Sequence, residues 1–279
     1  MQQLEGRTAV VTGAGSGLGR ELAIACAAEG MRLVLADIDA KATAATAALL
    51  PKSIAACHIT TDVSDADSVE ALAQRAYAEF GEVGVLFNNA GVALGGWCWE
   101  ASCEDWKWVL GVNLMGVVHG IRYFVPRMLT QELPAHLVNT SSAAGLMALP
   151  AAAPYCASKH AVVALSECLF HDLEIKKAHI GVSVLCPSLV NTGIADSERN
   201  RPAALANAGP VKPVRDPNLL RGMQTARLSA ADVARFTIDA IKRDCFYILP
   251  HAGVQEQAET RLRAIAGGTH PARGSLPSG

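Results

Sequence analysis

The chain has 279 residues, 51% of them hydrophobic and 18% charged, so it is long enough and apolar enough to bury a sizeable core. Its 24 basic and 26 acidic residues leave a formal charge of −2, and without a basic run we expect no nucleic-acid partner. The eight cysteines form no Cys-x-x-Cys pair and no zinc-like spacing with histidine, so we expect no metal and a reducing, cytoplasmic setting. The sequence shows no signal pattern and its apolar stretches are interrupted, so we expect no membrane association.

Short β-branched runs alternate with longer amphipathic or alanine-rich segments along the chain. The pattern predicts strands at 7–12, 32–36, 54–61, 84–88, 136–141, 180–186 and 245–249. It predicts helices at 17–29, 39–50, 65–80, 103–129, 154–177 and 230–243. Continuous apolar strands, each followed by a helix, predict a Rossmann-type α/β fold. In that fold a doubly wound parallel sheet of about seven strands is flanked by helices on both faces.

The domain organisation follows from the absence of any linker or internal repeat, which predicts one domain over residues 1–266. Residues 191–228 contain four prolines and little periodicity, and a connection of this length is typical of a substrate lid. Residues 267–279 are rich in Gly, Pro and Ser, which predicts a flexible tail or one that lies over a neighbouring subunit.

A glycine-rich turn joins the first predicted strand to the first helix, with the sequence TGAGSGLG at 12–19. Glycines let the backbone approach a ligand, and the helix amino terminus offers free N–H groups to a pyrophosphate. Asp37 closes the second strand, where its carboxylate can accept hydrogen bonds from an adenosine ribose and repel a 2′-phosphate. We therefore predict NAD as the cofactor, with NADP as the alternative. The predicted contacts of the turn are Gly13, Ser16, Gly17, Leu18 and Gly19.

Further motifs stand in a fixed order along the chain. They are Asp37, Asp62-Val63, Asn88-Asn89-Ala90-Gly91, Asn113, Ser142, Tyr155-Cys156-Ala157-Ser158-Lys159, and the segment from Pro187 to Thr192. With the glycine turn, this set resembles the short-chain dehydrogenase/reductase family, in its compact single-domain branch, over about residues 5–250. The resemblance implies that Asp62 and Val63 flank the adenine, that Asn89 lies by the cofactor, and that Val190 and Thr192 hold the nicotinamide carboxamide. The family usually has glycine after the proline, and this chain has Ser188.

Tyr155 and Lys159 are one helical turn apart and share a face. A free phenol titrates near pH 10, and we predict that the ammonium, helped by a positive nicotinamide ring, lowers the pKa of Tyr155. The tyrosine would then exchange a proton with an alcohol or carbonyl oxygen while hydride moves. Ser141 and Ser142 are both candidates to hold that oxygen, and the family's thirteen-residue gap selects Ser142. The resemblance also implies that Lys159 binds the nicotinamide ribose and that Asn113 holds a water linking Lys159 to solvent.

The predicted activity is NAD-linked oxidation of a secondary alcohol, or the reverse reduction of a ketone. One alternative is a nucleotide-binding scaffold or sensor that does little chemistry. A second alternative, a nucleotide-sugar epimerase or dehydratase, is disfavoured because those relatives have a different glycine spacing and a larger carboxyl-terminal domain. The resemblance further implies pairing through the helices near 103–129 and 154–177, as a homodimer or homotetramer.

The substrate is the least readable part of the prediction. All four tryptophans lie at 97–108. We expect Trp106 and Trp108, at the start of the long helix, to pack against the core or a subunit, and Trp97 and Trp99 to form either a substrate wall or plain packing. The run NTGIADSERNRP at 191–202 resembles a subgroup of bacterial dehydrogenases that act on bulky benzylic alcohols, which favours a bulky or aromatic substrate. Arginines in or beside the lid would bind an anionic group or form a solvated surface, namely Arg199, Arg201, Arg215, Arg221 and Arg227.

Overall fold

A computed structural model describes residues 3–207, 222, 224–274 and 276. Its seven strands are β1 (Thr8–Thr12), β2 (Arg32–Asp37), β3 (Ala56–Thr60), β4 (Val85–Asn88), β5 (Ala135–Thr140), β6 (Ile180–Leu185) and β7 (Tyr247–Ile248). All neighbouring pairs are parallel, in the order β3-β2-β1-β4-β5-β6-β7. The Rossmann-type doubly wound sheet predicted from the sequence is therefore confirmed.

Helices of the described residues cover both faces of this sheet. They are α1 (Gly17–Ala28), α2 (Ala40–Ala47), α3 (Ala66–Phe80), α4 (Cys103–Leu110), α5 (Gly116–Thr130), α6 (Ala153–Ile175), α7 (Ala230–Lys242) and α8 (Val254–Ala266). Short 3-10 turns lie at Ala143–Gly145, Gly193–Asn200 and Ala203–Leu205. Because alternate residues of a strand point to opposite faces, Val11 packs with α1 and α7 in one cluster and Val10 packs with α3, α5 and α6 in the other.

Two predicted elements differ from the structure. The helix predicted at 103–129 is divided into α4 and α5 by a π-helical segment, Gly111–Met115. The sequence analysis did not predict α8, because this helix is polar on most sides and buries only Val254. The last strand is shorter than predicted, since only Tyr247–Ile248 pairs with β6.

The stretch Cys103–Thr130 is long and apolar enough to cross a membrane by length and composition alone. Half of its most apolar window is buried inside the protein, where α5 packs on α3 and α4 packs on α6. A core helix has the same properties, so this stretch gives weak support for a membrane span.

The lid and the tail are described in part. Within the predicted lid at 191–228, residues 208–221 and 223 lie outside the described residues. In the tail, Leu276 packs on a small apolar cluster that contains Ala143, Met147 and Val254. The flexibility of residues 267–279 stays a prediction.

The strand order sets the position of the site. β1 and β4 are neighbours, and the chain winds outward from them in both directions, so a crevice opens at their carboxyl ends. The glycine turn follows β1, the Asn89 segment follows β4, the serines follow β5 and the Pro187 segment follows β6. All four therefore meet at one edge of the sheet.

Candidate active site

The glycine turn after β1 is packed so tightly that two of its positions admit no side chain. Gly13 has φ +68°, and a Cβ there would lie 2.9 Å from the Cα of Ala90. A Cβ at Gly19 would lie 2.1 Å from the carbonyl oxygen of Gly13. Each contact is shorter than atoms tolerate, so the turn requires glycine at both positions. This is the cradle that the sequence predicts for a pyrophosphate.

The first turn of α1 is left available for an anion. Ser16 is the N-cap in an extended conformation, its side chain makes no capping hydrogen bond, and no acidic residue lies in the first turn. Free N–H groups and the partial positive charge of the helix end therefore face the crevice. Thr192 lies beside the turn, since a Cβ at Gly17 would be 3.0 Å from that of Thr192. Leu18 packs against the core cluster beneath the turn.

Asp37 ends β2 with its carboxylate fixed at the rim of the cradle. Its Oδ2 accepts a hydrogen bond from the Gly15 amide at 2.9 Å, and its Oδ1 accepts one from the Asp39 amide at 3.0 Å. The nearby Arg20 guanidinium donates to the Gly15 carbonyl at 2.6 Å and to the hydroxyl of Thr46 at 3.1 Å. The Arg20 guanidinium is thus engaged by the protein's own groups.

The predicted adenine and sheet contacts lie at the same edge. The Asp62 carboxylate accepts from the Ser64 amide at 2.9 Å and from its hydroxyl at 2.7 Å. Val63 is buried, and its carbonyl oxygen is 2.9 Å from Nδ1 of His119. Asn89 donates its amide to the Thr12 hydroxyl at 2.9 Å and its side-chain Nδ2 to the Thr12 carbonyl at 3.0 Å. These bonds hold the end of β4 against the glycine turn.

Tyr155 and Lys159 project from the first turns of α6. Lys159 is 2% exposed, and its Nζ donates to the carbonyl oxygen of Thr140 at 2.8 Å. The same Nζ lies 5.8 Å from the ring centroid of Tyr155. Burial lowers the pKa of Lys159 to about 8, because the charged form loses hydration. The ammonium is therefore present at neutral pH and is lost as the pH rises above 8.

The pKa of Tyr155 moves in the direction opposite to the predicted one. Burial raises it to about 12, and a hydrogen bond with the Ser142 hydroxyl acts the other way. The Lys159 ammonium, whose Nζ lies 5.8 Å from the centre of the Tyr155 ring and donates to the Thr140 carbonyl, does not offset this rise. The prediction combined two positive charges, the Lys159 ammonium and a bound nicotinamide ring. The Lys159 ammonium alone does not lower the pKa of Tyr155.

The two serines after β5 have different partners. Ser141 donates its hydroxyl to the carbonyl oxygen of Lys159 at 2.8 Å, which fixes the helix against the strand end. Ser142 accepts from the Ala144 amide at 3.1 Å and hydrogen-bonds to Tyr155. The structure brings Ser142, and not Ser141, to the tyrosine. The role of Ser142 in holding the reacting oxygen stays a prediction.

Asn113 lies in the π-helical segment, completely buried. Its Oδ1 accepts from the Val92 amide at 2.8 Å, and its Nδ2 donates to the Val92 carbonyl at 2.9 Å and to the Ser158 hydroxyl at 3.0 Å. A Cβ at Gly91 would lie 3.4 Å from Asn113 Oδ1 and 3.5 Å from Lys159 Nζ, so this glycine keeps open the space between them. A water held there stays a prediction.

Sequence reasoning missed three supporting residues: Thr140, Ser158 and Gly91. Thr140 accepts from Lys159 through its carbonyl oxygen, and Ser158 accepts from Asn113; Ser158 stands in the tyrosine motif, but the motif assigns it no role. Gly91 was visible in the motif after β4, but its role needs the position of Lys159 on a distant helix. The missing signal in each case is a long-range contact.

The described part of the lid is held by Arg201. Its side chain is 6% exposed, and its Nη2 donates to Asp105 Oδ1 at 2.6 Å and to Glu198 Oε1 at 2.9 Å. The guanidinium also stacks over Trp108, with its Cζ 4.3 Å from the ring centroid. Arg201 therefore neither offers its charge to an anionic substrate group nor lies on a solvated surface, because its guanidinium is paired with carboxylates inside the protein. Of the other predicted lid arginines, Arg199 donates to the carbonyls of Gly193 and Asp196, while Arg215 and Arg221 lie outside the described residues.

The tryptophans divide into packed and exposed members. Trp108 is buried in a core cluster with Val92 and Val109. Trp97 and Trp99 are 43% and 79% exposed, and their rings stack with centroids 5.6 Å apart and planes within 1°. A bridge between Gly96 and Ala152 ties this pair to the segment just before Tyr155.

The site therefore combines a glycine-rich turn at a helix amino terminus, the Asp37 carboxylate at its rim and a tyrosine–serine–lysine group at one edge of a parallel sheet. This arrangement is the one expected of a nucleotide-dependent oxidoreductase.

Comparison with known proteins gives the family. The model of the short chain dehydrogenase family matches residues 7–203. The CLA biosynthesis dehydrogenase/reductase of Lactiplantibacillus plantarum is 32% identical over 273 residues, which are 95% of each chain. The C alpha-dehydrogenase of a Sphingobium species is 33% identical over 273 residues, 97% of this chain and 89% of the relative.

Among solved structures, a short chain dehydrogenase/reductase from Burkholderia phymatum in complex with NAD is 47% identical. The alignment has a TM-score of 0.95 and covers 99% of this chain and 100% of the other. The chain belongs to the short-chain dehydrogenase/reductase family, and is an oxidoreductase that uses a nicotinamide cofactor.

Proposed function

We propose that the protein transfers hydride between NAD and a bulky secondary alcohol or its ketone, with Tyr155 as the general acid–base. The observation that carries this proposal is the grouping at one edge of the sheet of Tyr155, the Lys159 Nζ 5.8 Å from its ring centre and the Ser142 hydroxyl that acts on its pKa, with the glycine cradle beside them. The three groups have the roles that alcohol oxidation requires: a proton acceptor, a donor for the reacting oxygen and a nearby positive charge.

The residues present fit a dinucleotide. Gly13 to Gly19 and the uncapped end of α1 would hold the pyrophosphate, Asp37 the adenosine ribose, Asp62 and Val63 the adenine, and Asn89, Val190 and Thr192 the nicotinamide half. When bound, the nicotinamide supplies the hydride acceptor or donor.

The chain's own residues move the proton. Ser142 holds the substrate oxygen by its hydroxyl. Tyr155 acts as the phenolate, which the Lys159 ammonium and the positive ring of a bound nicotinamide would together favour, and its Oη takes the substrate's hydroxyl proton as the C–H bond gives up its hydride. The carbon–oxygen single bond becomes a carbonyl, so two electrons leave with the hydride and one proton stays on the tyrosine. The proton then leaves Tyr155 toward solvent past Lys159 and Asn113, whose polar groups flank the space beside Gly91. In the reductive direction each step is reversed.

Asp37 is the group that we propose to select NAD over NADP. Asp37→Asn keeps an oxygen for the Gly15 amide but removes the negative charge. We expect the NAD-to-NADP ratio of kcat/KM to fall by at least about tenfold, since like charges a few ångström apart repel by about 1–4 kcal/mol. Parallel titrations with both cofactors measure the ratio. Asp39→Asn, which changes a neighbouring exposed carboxylate, should leave it unchanged; tighter NADPH than NADH binding by the parent would contradict the proposal.

The bulky substrate is supported by the stacked Trp97–Trp99 pair, because a bridge joins its loop to the segment before Tyr155. A flat, exposed indole near the reacting oxygen suits an aromatic or extended apolar group on the alcohol.

Trp99→Ala tests the substrate class. Loss of one aromatic contact costs about 0.5–1.5 kcal/mol, so we expect KM for benzylic alcohols to rise about two- to tenfold with little change for small aliphatic ones. NADH formation at 340 nm over a panel of both classes gives the comparison. Leu262→Ala, which removes another exposed apolar side chain, from α8, serves as the control. Faster turnover of small aliphatic alcohols than of benzylic ones by the parent would overturn the bulky-substrate proposal.

A further inference from the structure

The loop after β6 joins two parts of the site. The carbonyl oxygen of Pro187 accepts from the Ala143 amide at 2.8 Å and from the Ser142 hydroxyl at 3.4 Å. Val190 and Thr192, three and five residues later, are the groups predicted to hold the nicotinamide end. The backbone between them, at Ser188 and Leu189, therefore sets the distance from the catalytic serine to the nicotinamide contacts.

His251 makes hydrogen bonds with the backbone of Ser188 and Leu189. It follows β7 and is 2% exposed. Its Nδ1 accepts from the Ser188 amide at 3.2 Å, and its Nε2 lies 3.1 Å from the carbonyl oxygen of Leu189. An amide can only donate and a carbonyl can only accept, so the ring is neutral with its proton on Nε2. One imidazole thus binds the backbone of two consecutive residues.

The segment that carries His251 is itself fixed next to the catalytic loop. Val254, three residues further along, is buried in a cluster with Ala143 and Met147. Cys186 donates its amide to the Ile248 carbonyl at 2.9 Å, which joins the end of β6 to β7. His251 therefore stands on a rigid support, and the loop that it binds does not have to order itself.

We propose that His251 is a positioning residue of the cofactor site: it fixes the peptide groups at Ser188 and Leu189, so the nicotinamide contacts at 190–192 are in place before the cofactor binds. This inference rests on the proposed function. The same hydrogen bond fixes the backbone at Ser188, the position where the family usually has glycine.

Three variants at this position separate positioning from packing. His251→Leu removes both hydrogen bonds, His251→Asn places an acceptor near Nδ1 for the Ser188 amide, and His251→Gln places a donor near Nε2 for the Leu189 carbonyl. For the leucine variant we expect the Kd for NADH to rise about tenfold, with kcat at saturating NAD within about threefold of the parent. The asparagine and glutamine variants should each recover part of the affinity.

The second measurement needs no cofactor. Amide hydrogen exchange of the peptide containing residues 187–192 should be faster in the leucine variant, because the Ser188 amide loses its acceptor. Asparagine should restore this protection and glutamine should not. His171→Leu, at an exposed histidine on α6, should change neither exchange nor affinity.

The outcomes separate this inference from the proposed function. If the parent fails to bind NADH, the proposed function is wrong. If the parent binds NADH and the leucine variant has the same Kd and the same exchange, the positioning role is wrong. If the leucine variant does not fold, the asparagine and glutamine variants decide: equal exchange of 187–192 in the two would also overturn the inference.

Discussion

Tyr155→Phe is expected to lower kcat by about a thousandfold while the Kd for NADH stays within about threefold of the parent value. Phenylalanine keeps the ring and its packing at the start of α6 and removes only the hydroxyl that hydrogen-bonds to Ser142. Without that oxygen, no group at the site takes the proton as hydride leaves the substrate carbon. General acid–base catalysis contributes about 10²–10⁴ to enzymatic rates, which sets the size of the loss.

Stopped-flow or steady-state formation of NADH measures the rate, and quenching of tryptophan fluorescence measures NADH binding. Tyr77→Phe is the matched control, because it removes a hydroxyl bound to Gln131 at 3.2 Å on a distant helix and should leave kcat unchanged. Equal rates for the parent and the Tyr155 variant would assign the proton to another group. A parent that binds NADH but turns over no alcohol would instead favour the scaffold or sensor.

Lys159→Met is expected to lower kcat/KM by at least about a thousandfold and also to weaken NADH binding, in contrast to the tyrosine variant. Methionine is similar in length but brings no charge, so the Thr140 carbonyl loses its donor. The resemblance assigns a ribose contact to this lysine, and that contact would be lost together with the proton route.

The lowered pKa of Lys159 also predicts the direction in which the affinity for NADH changes with pH. Because the pKa of Lys159 is lowered to about 8, its ammonium is complete well below pH 8 and disappears above it. In the parent, the affinity for NADH should fall as the pH rises through 8, and in the methionine variant this step should be absent. Lys107→Met, which changes a surface lysine of α4, should keep the parent profile. A step of equal size in both the parent and the Lys159 variant would show that another group titrates.

Much of the fold follows from local pattern, because strands buried on both faces are apolar throughout. β4 is buried along its whole length and β1 likewise, so their sequences predict a parallel sheet directly. The π-helical segment is different: the residues of Gly111–Met115 form a normal helical pattern, and the extra residue per turn arises from tertiary packing around Asn113. The helix α8 was missed since its amphipathic pattern is weak and one buried valine anchors it.

The site was predictable where spacing along the chain carries the information. The separation of Tyr155 and Lys159 by four residues, and of Ser142 from Tyr155 by thirteen, identified groups that the structure brings together. The pKa of Tyr155 was not predictable in this way, because it depends on burial and on where the Lys159 ammonium is directed. The position of Arg201 was likewise beyond local pattern, since its partner Asp105 is 96 residues away.

Asp105 connects the start of helix α4 with the segment that carries Arg201. Its carboxylate closes the capping box of α4 with Ser102 and also receives the Arg201 guanidinium of the lid. Order in the lid and order in the first turn of α4 are therefore thermodynamically linked: free energy that stabilises one stabilises the other. A substrate that contacts the lid would slow the fraying of a helix that it does not touch, and the same helix leads through its π-helical segment to Asn113. The Arg201–Asp105 ion pair thus joins the described part of the predicted lid to the helix that leads to Asn113.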